Sequence, residues 1–305
     1  MALKLKDLPD EEFVALGRAG CPGCPAVIGA RLASKVLGNS SIMVNATGCM
    51  CVNYGYQGAT EFPYIHSLFP STGALLSGID SGLKALGRRD GINLYAFSGD
   101  GGTVDIGFQT LSGAVERGHR FIYICYDNEG YMNTGGQRSG ATPYKAVTST
   151  TPLGELQAGQ PRPLAFRKDM VRIMAAHGIP YAATASVAYP VDFARKLEKA
   201  KSIDGPTYIH LQSPCIVGWG YEEQLGIALA RLAVQTCLFP LYEVDQGRHF
   251  RITKKIGQKK PLKEYLKPQR RFKHLFTGED RTEIERLQGE VDQSWEYLQK
   301  LAELI

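Results

Sequence analysis

Asp100 and Asn128 each follow an apolar run, "NLYAFSG" (93–99) and "RFIYICYD" (120–127), 28 residues apart in the chain. The second run breaks abruptly into Asp127, Asn128, Glu129 and Gly130, with Asn133, Thr134 and two glycines just beyond. One carboxylate, one amide oxygen and one backbone carbonyl form a hard-oxygen set. Such a set suits Mg²⁺, which completes its octahedron with phosphate oxygens and water. Gly99, Gly101 and Gly102 let the backbone turn tightly beside a ligand. The helix that follows offers unpaired amides to phosphate. A glycine-rich turn between strand and helix is weak evidence alone. Its pairing with the next strand end is stronger, because both strand ends of a βαβ unit face the same side of the sheet.

A second constellation is sulfur-based. Cys21 and Cys24 form a C-x-x-C pair, Cys49 closes "ATGC" and Cys215 closes "SPC". Four thiolates from three places could wrap a tetrahedral metal or a [4Fe–4S] cluster, and spacing alone leaves zinc and iron–sulfur both open. A lone C-x-x-C also allows thioredoxin-like chemistry, which its place near the N-terminus fits poorly. Cys51 lies close enough to Cys49 to compete as a ligand. Cys125, on a strand, and Cys237, after a helical run, read as small core residues. An odd total of seven cysteines argues against a disulfide framework.

These groups need a scaffold, and the middle of the chain supplies an alternation of strands and helices. Strands are expected at 41–47, 93–99 and 120–127, and helices at 71–87 and 104–118. A loop over roughly 129–162 precedes a helix over 163–178, a strand "YAATASV", a helix "PVDFARKLEKAKS" and a strand "PTYIHLQS". This pattern predicts an α/β fold with a mostly parallel sheet and helices on both faces. A loop of that length inside a compact domain is usually functional. The chain ends in an amphipathic helix with Ile284, Leu287, Val291, Trp295, Leu298 and Leu301 on one side. Three segments are expected: 1–50 with the cluster cysteines, 51–240 with the diphosphate and metal site, and 241–305 as a basic C-terminal arm and helix.

The run "GDG", followed after a helix and a strand by "DNEGYMNTG", resembles the thiamine-diphosphate motif of the 2-oxoacid:ferredoxin oxidoreductases. The longer stretch from Gly99 to Pro143 is similar to the β-type subunit of the pyruvate branch, and the likeness extends over roughly residues 15–300. It implies a thiamine-diphosphate-binding fold in which Asp100, Asn128 and the Gly130 carbonyl hold Mg²⁺. Gly99, Gly101, Gly102, Asn133, Thr134 and Cys49 would lie beside the cofactor. It also implies a [4Fe–4S] cluster on Cys21, Cys24, Cys49 and Cys215, since the family's third cysteine falls 25 residues after the second, as Cys49 does here.

The reaction implied is oxidative decarboxylation of pyruvate with coenzyme A and oxidised ferredoxin, giving acetyl-CoA, CO₂ and reduced ferredoxin. The stretch "CVNYGYQGATEF" (51–62) departs from the pyruvate pattern, so oxalate without CoA, or another 2-oxo acid, is the alternative. An electron-transfer subunit without thiamine is the rival reading. Alpha-, gamma- and delta-type partner subunits are implied, one of them supplying the glutamate that activates the pyrimidine. Glu61 and Glu129 read as structural, and His66 as a hydrogen-bonded core histidine.

Net charge is +5, and residues 245–275 hold eleven Lys or Arg against two acids. That segment reads as a solvated arm, a strap on a partner subunit or a dock for an acidic protein. No nucleic-acid module accompanies it. No apolar run reaches membrane-spanning length and no secretory signal opens the chain, which predicts a cytoplasmic protein.

Overall fold

The computed structural model describes residues 4–15, 17, 19–152, 167–277 and 282–304. In chain order the elements are α1 (Pro25–Leu37), β1 (Ser41–Ala46), α2 (Cys49–Tyr54), β2 (Tyr64–Ser67), α3 (Thr72–Ala85) and β3 (Asn93–Gly99). Next come α4 (Phe108–Glu116), β4 (Phe121–Asp127), α5 (Met170–Ala176), β5 (Tyr181–Ser186), α6 (Pro190–Lys201) and β6 (Pro206–Gln212). The C-terminal part holds α7 (Ile216–Trp219), α8 (Gly226–Gln235), β7 (Tyr242–Asp245), β8 (His249–Ile252), α9 (Leu262–Leu266) and α10 (Thr282–Glu303).

The strands form one eight-stranded sheet in the order β2-β1-β3-β4-β6-β5-β7-β8. β1 to β6 run parallel, while β7 pairs antiparallel with β5 and β8 antiparallel with β7. The fold is therefore the expected α/β type with a mostly parallel sheet. The central strand explains why: β4 reads FIYICYD and is buried along its whole length, as a parallel strand covered on both faces must be. Its alternate side chains divide between two cores. Ile122, Ile124 and Tyr126 pack with α1 and α6 on one face, while Phe121, Tyr123 and Cys125 pack with α3, α4 and α5 on the other. Cys125 is thus a core residue, and Cys237 lies in a third cluster with Trp219, Tyr265 and Phe272.

β1, β3, β4 and β6 are neighbours, so their carboxyl ends open along one edge. There the chain runs on into Cys49 after β1, Asp100 after β3, Asn128 after β4 and Cys215 after β6. β1 precedes residue 51 and β7 and β8 follow residue 240, so the sheet draws on all three expected segments.

Several expectations change in detail. The helix expected from residue 163 starts at Met170, where the Asp169 side chain accepts from Arg172 N at 3.1 Å and caps it. Residues 163–166 lie outside the described ones, and Arg167 and Lys168 are not helical. The helix expected from 104 is entered through a π-helical turn, Gly101–Asp105, before α4 begins. Such turns recur at functional sites. The basic segment is not simply solvated, because Leu262, Tyr265, Leu266, Arg271 and Phe272 are buried in it. α10 lays Leu287, Val291 and Leu298 against the rest of the chain. Among the described residues no helix is long and apolar enough to cross a membrane.

Candidate active site

The turn after β4 is built by pairing its successive carbonyls with different donors. Ser213 N donates to Asp127 O at 2.8 Å, Trp219 Nε1 to Asn128 O at 2.8 Å and Thr142 Oγ1 to Glu129 O at 2.7 Å. The next carbonyl, Gly130 O, instead faces the Asn128 side chain. The Asn128 amide oxygen stands 2.9 Å from Gly130 O and 3.0 Å from Asp100 Oδ1, with acceptors only around it. Rotating the amide would turn these approaches into hydrogen bonds. Left as it stands, it sets the Asn128 amide oxygen beside two others, one from each strand end, a grouping able to hold a hard cation.

The long loop after the turn is cinched onto the glycine-rich turn. Ser139 Oγ donates to Asp100 Oδ2 at 2.5 Å, Gly140 N to Asp105 Oδ2 at 2.8 Å and Tyr131 Oη to Gly101 O at 3.0 Å. The Tyr131 ring lies where a Cβ on Gly101 would stand, so only glycine permits this approach. One cleft takes Gly99, Gly101 and Gly102 from the first turn and Asn128, Gly130, Asn133 and Thr134 from the second, and Cys49 also lines it. A larger cavity, bordered by Arg167, His210 and Phe239, shares none of these residues.

Beneath the turn lies a buried charge network. Asp127, wholly buried, pairs with Arg167 and accepts from His210 Nε2 at 2.8 Å. Glu129 sits at φ 64° and is held by Arg167 at 3.0 Å and Arg271 at 2.5 Å. Burial pushes the Asp127 carboxyl up, but Arg167 and His210 more than offset it and leave it below the usual carboxylate range. Among the described residues no cation forms an ion pair with Asp100. Burial and then the neighbouring Asp127 charge raise it well above the ordinary value. A neighbouring positive charge would favour its carboxylate form.

The cysteines arrive from separate elements. Cys21 is exposed, and Cys24 folds back on it through a 3.2 Å bond from its backbone N–H to Cys21 O, then caps α1. Cys49 opens α2, and Cys215 caps α7 with its Sγ accepting from Gly218 N at 3.3 Å. Burial pushes the Cys49 thiol up to about 12, with smaller contributions from the charges of Cys215, Cys24 and Cys21. Burial raises Cys215 to about 11, against the pull of the Gly218 amide. Among the described residues, no three His, Cys, Asp or Glu gather around a single-ion point.

Of the remaining candidates, Cys51 turns away and donates to Asn45 Oδ1 and Ala46 O, both at 3.3 Å. Glu129 is committed to its two arginines, and Glu61 is exposed. His66 is hydrogen-bonded to Thr47 Oγ1 at 2.9 Å but exposed, not in the core as expected, because β2 lies at the edge of the sheet. Sequence reasoning missed Ser139, Arg167, His210, Trp219 and Arg271, which act from far along the chain. The available hints were a tryptophan four residues after Cys215 and buried-type aromatics interleaved with the basic run.

Residues 46–211 match the C-terminal TPP-binding domain of the thiamine pyrophosphate enzymes, so the cleft belongs to that class of cofactor-binding domain. The chain is 52% identical over 280 residues to pyruvate synthase subunit PorB of Methanothermobacter thermautotrophicus, covering 91% of this chain and 95% of that one. It is 51% identical over 298 residues to PorB of Methanocaldococcus jannaschii, covering 95% and 97%. It is 46% identical over 304 residues to ketoisovalerate oxidoreductase subunit VorB of Pyrococcus furiosus, covering 97% and 96%. The fold is shared with a 2-oxoglutarate:ferredoxin oxidoreductase chain from Magnetococcus marinus at 21% identity and a TM-score of 0.55, covering 75% of this chain and 80% of that one. The chain belongs to the β-subunit family of the 2-oxoacid:ferredoxin oxidoreductases.

Proposed function

We propose that this chain carries the thiamine diphosphate, Mg²⁺ and [4Fe–4S] sites of a cytoplasmic pyruvate:ferredoxin oxidoreductase. The complete enzyme, with alpha-, gamma- and delta-type subunits, converts pyruvate, CoA and oxidised ferredoxin to acetyl-CoA, CO₂ and reduced ferredoxin. The observation that carries the reading is the oxygen triangle. Adjacent ligands of an octahedral Mg²⁺ with bonds of about 2.0–2.1 Å stand about 3 Å apart. The Asn128 amide oxygen lies 2.9 and 3.0 Å from its two neighbours. Asp100 supplies the charge, Asn128 and Gly130 O the neutral ligands, and Asn133 and Thr134 a wall beside the diphosphate. Bound thiamine diphosphate would supply the electron sink for decarboxylation.

The residues around it hold this geometry. Ser139 orients the Asp100 carboxylate, and the Arg167 and Arg271 pairs keep Glu129 in its left-handed conformation. Cys49 lines the same cleft, which supports a short path for electrons from cofactor to sulfur ligands. Four cysteines arriving from separate elements suit a four-iron cluster, in which each thiolate binds its own iron. With Glu129 committed and Glu61 exposed, the carboxylate that activates the pyrimidine is expected from a partner subunit.

A second substrate reading, a branched 2-oxo acid, is favoured by the VorB relative, which matches over 97% of this chain. The test is anaerobic viologen reduction by the assembled complex with pyruvate, 2-ketoisovalerate and oxalate, each with and without CoA. Pyruvate with CoA should give the highest kcat/KM. A complex retaining no thiamine diphosphate would leave only electron transfer, and one lacking labile sulfide would end the cluster assignment.

A further inference from the structure

Trp219 lies between the two centres. It is wholly buried at the end of α7, four residues after Cys215, and its backbone N–H donates to Cys215 O at 2.9 Å. Its indole N–H, the side chain's only donor, goes to Asn128 O at 2.8 Å. The ring is covered by the Arg271 guanidinium, 4.0 Å from its centroid, and Arg271 pairs with Glu129 at 2.5 Å. Met132, from the turn's own loop, fills the space that a Cβ on Gly218 would take. The four-residue α7 thus touches the sulfur end through Cys215. It touches the oxygen end through Trp219 and Gly218.

We infer that Trp219 is a positioning residue that couples the cluster ligand Cys215 to the metal-binding turn, so that loading one centre is felt at the other. The inference rests on the proposed magnesium and cluster sites. Asn128 is a ligand through its side chain, and its own carbonyl is what Trp219 holds. A shift of α7 therefore rotates the peptide that aims the amide oxygen. A phenylalanine would fill the ring's space but leave the buried Asn128 carbonyl without its donor, a defect that costs much more than an exposed hydrogen bond.

The test uses the assembled anaerobic complex, unsubstituted and with Trp219→Phe. Two quantities are read: calorimetric affinity for thiamine diphosphate with Mg²⁺, and the electron paramagnetic resonance signal of the reduced cluster before and after that addition. The substitution is expected to weaken affinity roughly tenfold. It should also abolish the change in cluster signal that cofactor addition produces in the unsubstituted complex. Unchanged affinity overturns the inference. So does weaker affinity with the signal change intact, since Trp219 would then support the turn without linking the centres. A signal that never responds in the unsubstituted complex also overturns it. If the Phe variant does not assemble, benzothienylalanine at position 219, which removes only the N–H, decides by the same two readings. An unsubstituted complex that binds no thiamine diphosphate or holds no labile sulfide overturns the proposed function itself.

Discussion

Asp100 and Asn128 follow directly on β3 and β4, two hydrogen-bonded neighbours of one sheet, and Asn128 lines the cleft. Of the four cysteines only Cys49, from α2, lines that cleft; Cys21 and Cys24 come from the segment before α1, and Cys215 stands just before α7. The first set is aimed by strand register and by neighbours that already satisfy the surrounding polar groups. Under the proposed function, a cation would complete it. The second set comes from separate elements, and burial raises the Cys49 and Cys215 thiols. The oxygen site is pre-organised at the cost of burying an unpaired acid. Under the proposed function, loading the sulfur site would release protons.

The sharpest test of this contrast is Asp100→Ala. Loss of outer-shell partners alone costs about 10- to 100-fold in metal affinity. Removing the one anionic ligand should exceed that and abolish retention of thiamine diphosphate on gel filtration, while iron and sulfide content stays as it was. If iron left with the cofactor, the two ends would not be separately built. The converse is Cys215→Ser, expected to strip most iron and labile sulfide while thiamine diphosphate still binds. Chemical analysis of the purified complex reads both.

Next in size is Arg271→Met. It leaves the buried Glu129 with Arg167 alone, and breaking a buried pair costs about 3–5 kcal/mol. Chemical denaturation should show that loss, with weaker magnesium binding, because the turn loses one of its clamps.

The pH effect is smaller and has a definite sign. Unfolded, the Cys49 thiol ionises at its ordinary 9.0, whereas folded and metal-free it stays neutral up to about 12. The folded state then holds the extra proton, so stability of the metal-free chain falls as pH rises through that window. Thermal unfolding should show the slope, and Cys49→Ser should flatten it. Cluster reconstitution should run the other way and improve with rising pH, because loading ejects the protons. The smallest change belongs to Cys51→Ser, which keeps a donor toward Asn45 Oδ1 and Ala46 O in place of the thiol and should leave iron content unaltered.

The chemistry was legible in the chain because it is local. A strand ending in Asp100 or Asn128 declares itself through a run of buried-type residues and a sharp change to oxygen-bearing ones, and β4 shows both. The parallel sheet followed from the alternation of such runs with amphipathic ones. β7 and β8 did not, being four residues each and too short for a periodic signal. Arg271 sat hidden in a basic run because charge composition does not reveal which cation is buried opposite a carboxylate 142 residues earlier.

The linear sequence by itself determined which atoms could bind what: hard oxygens at two strand ends, thiols at four positions, glycines where backbone must approach. Only the tertiary structure decided that Cys51 turns toward β1, that Glu129 is spent on two arginines, and that Trp219 joins Cys215 to Asn128. The reason is physical. Ligand type is a property of a residue, whereas orientation comes from long-range packing and hydrogen bonds whose partners lie tens of residues away and leave no periodic trace in the chain.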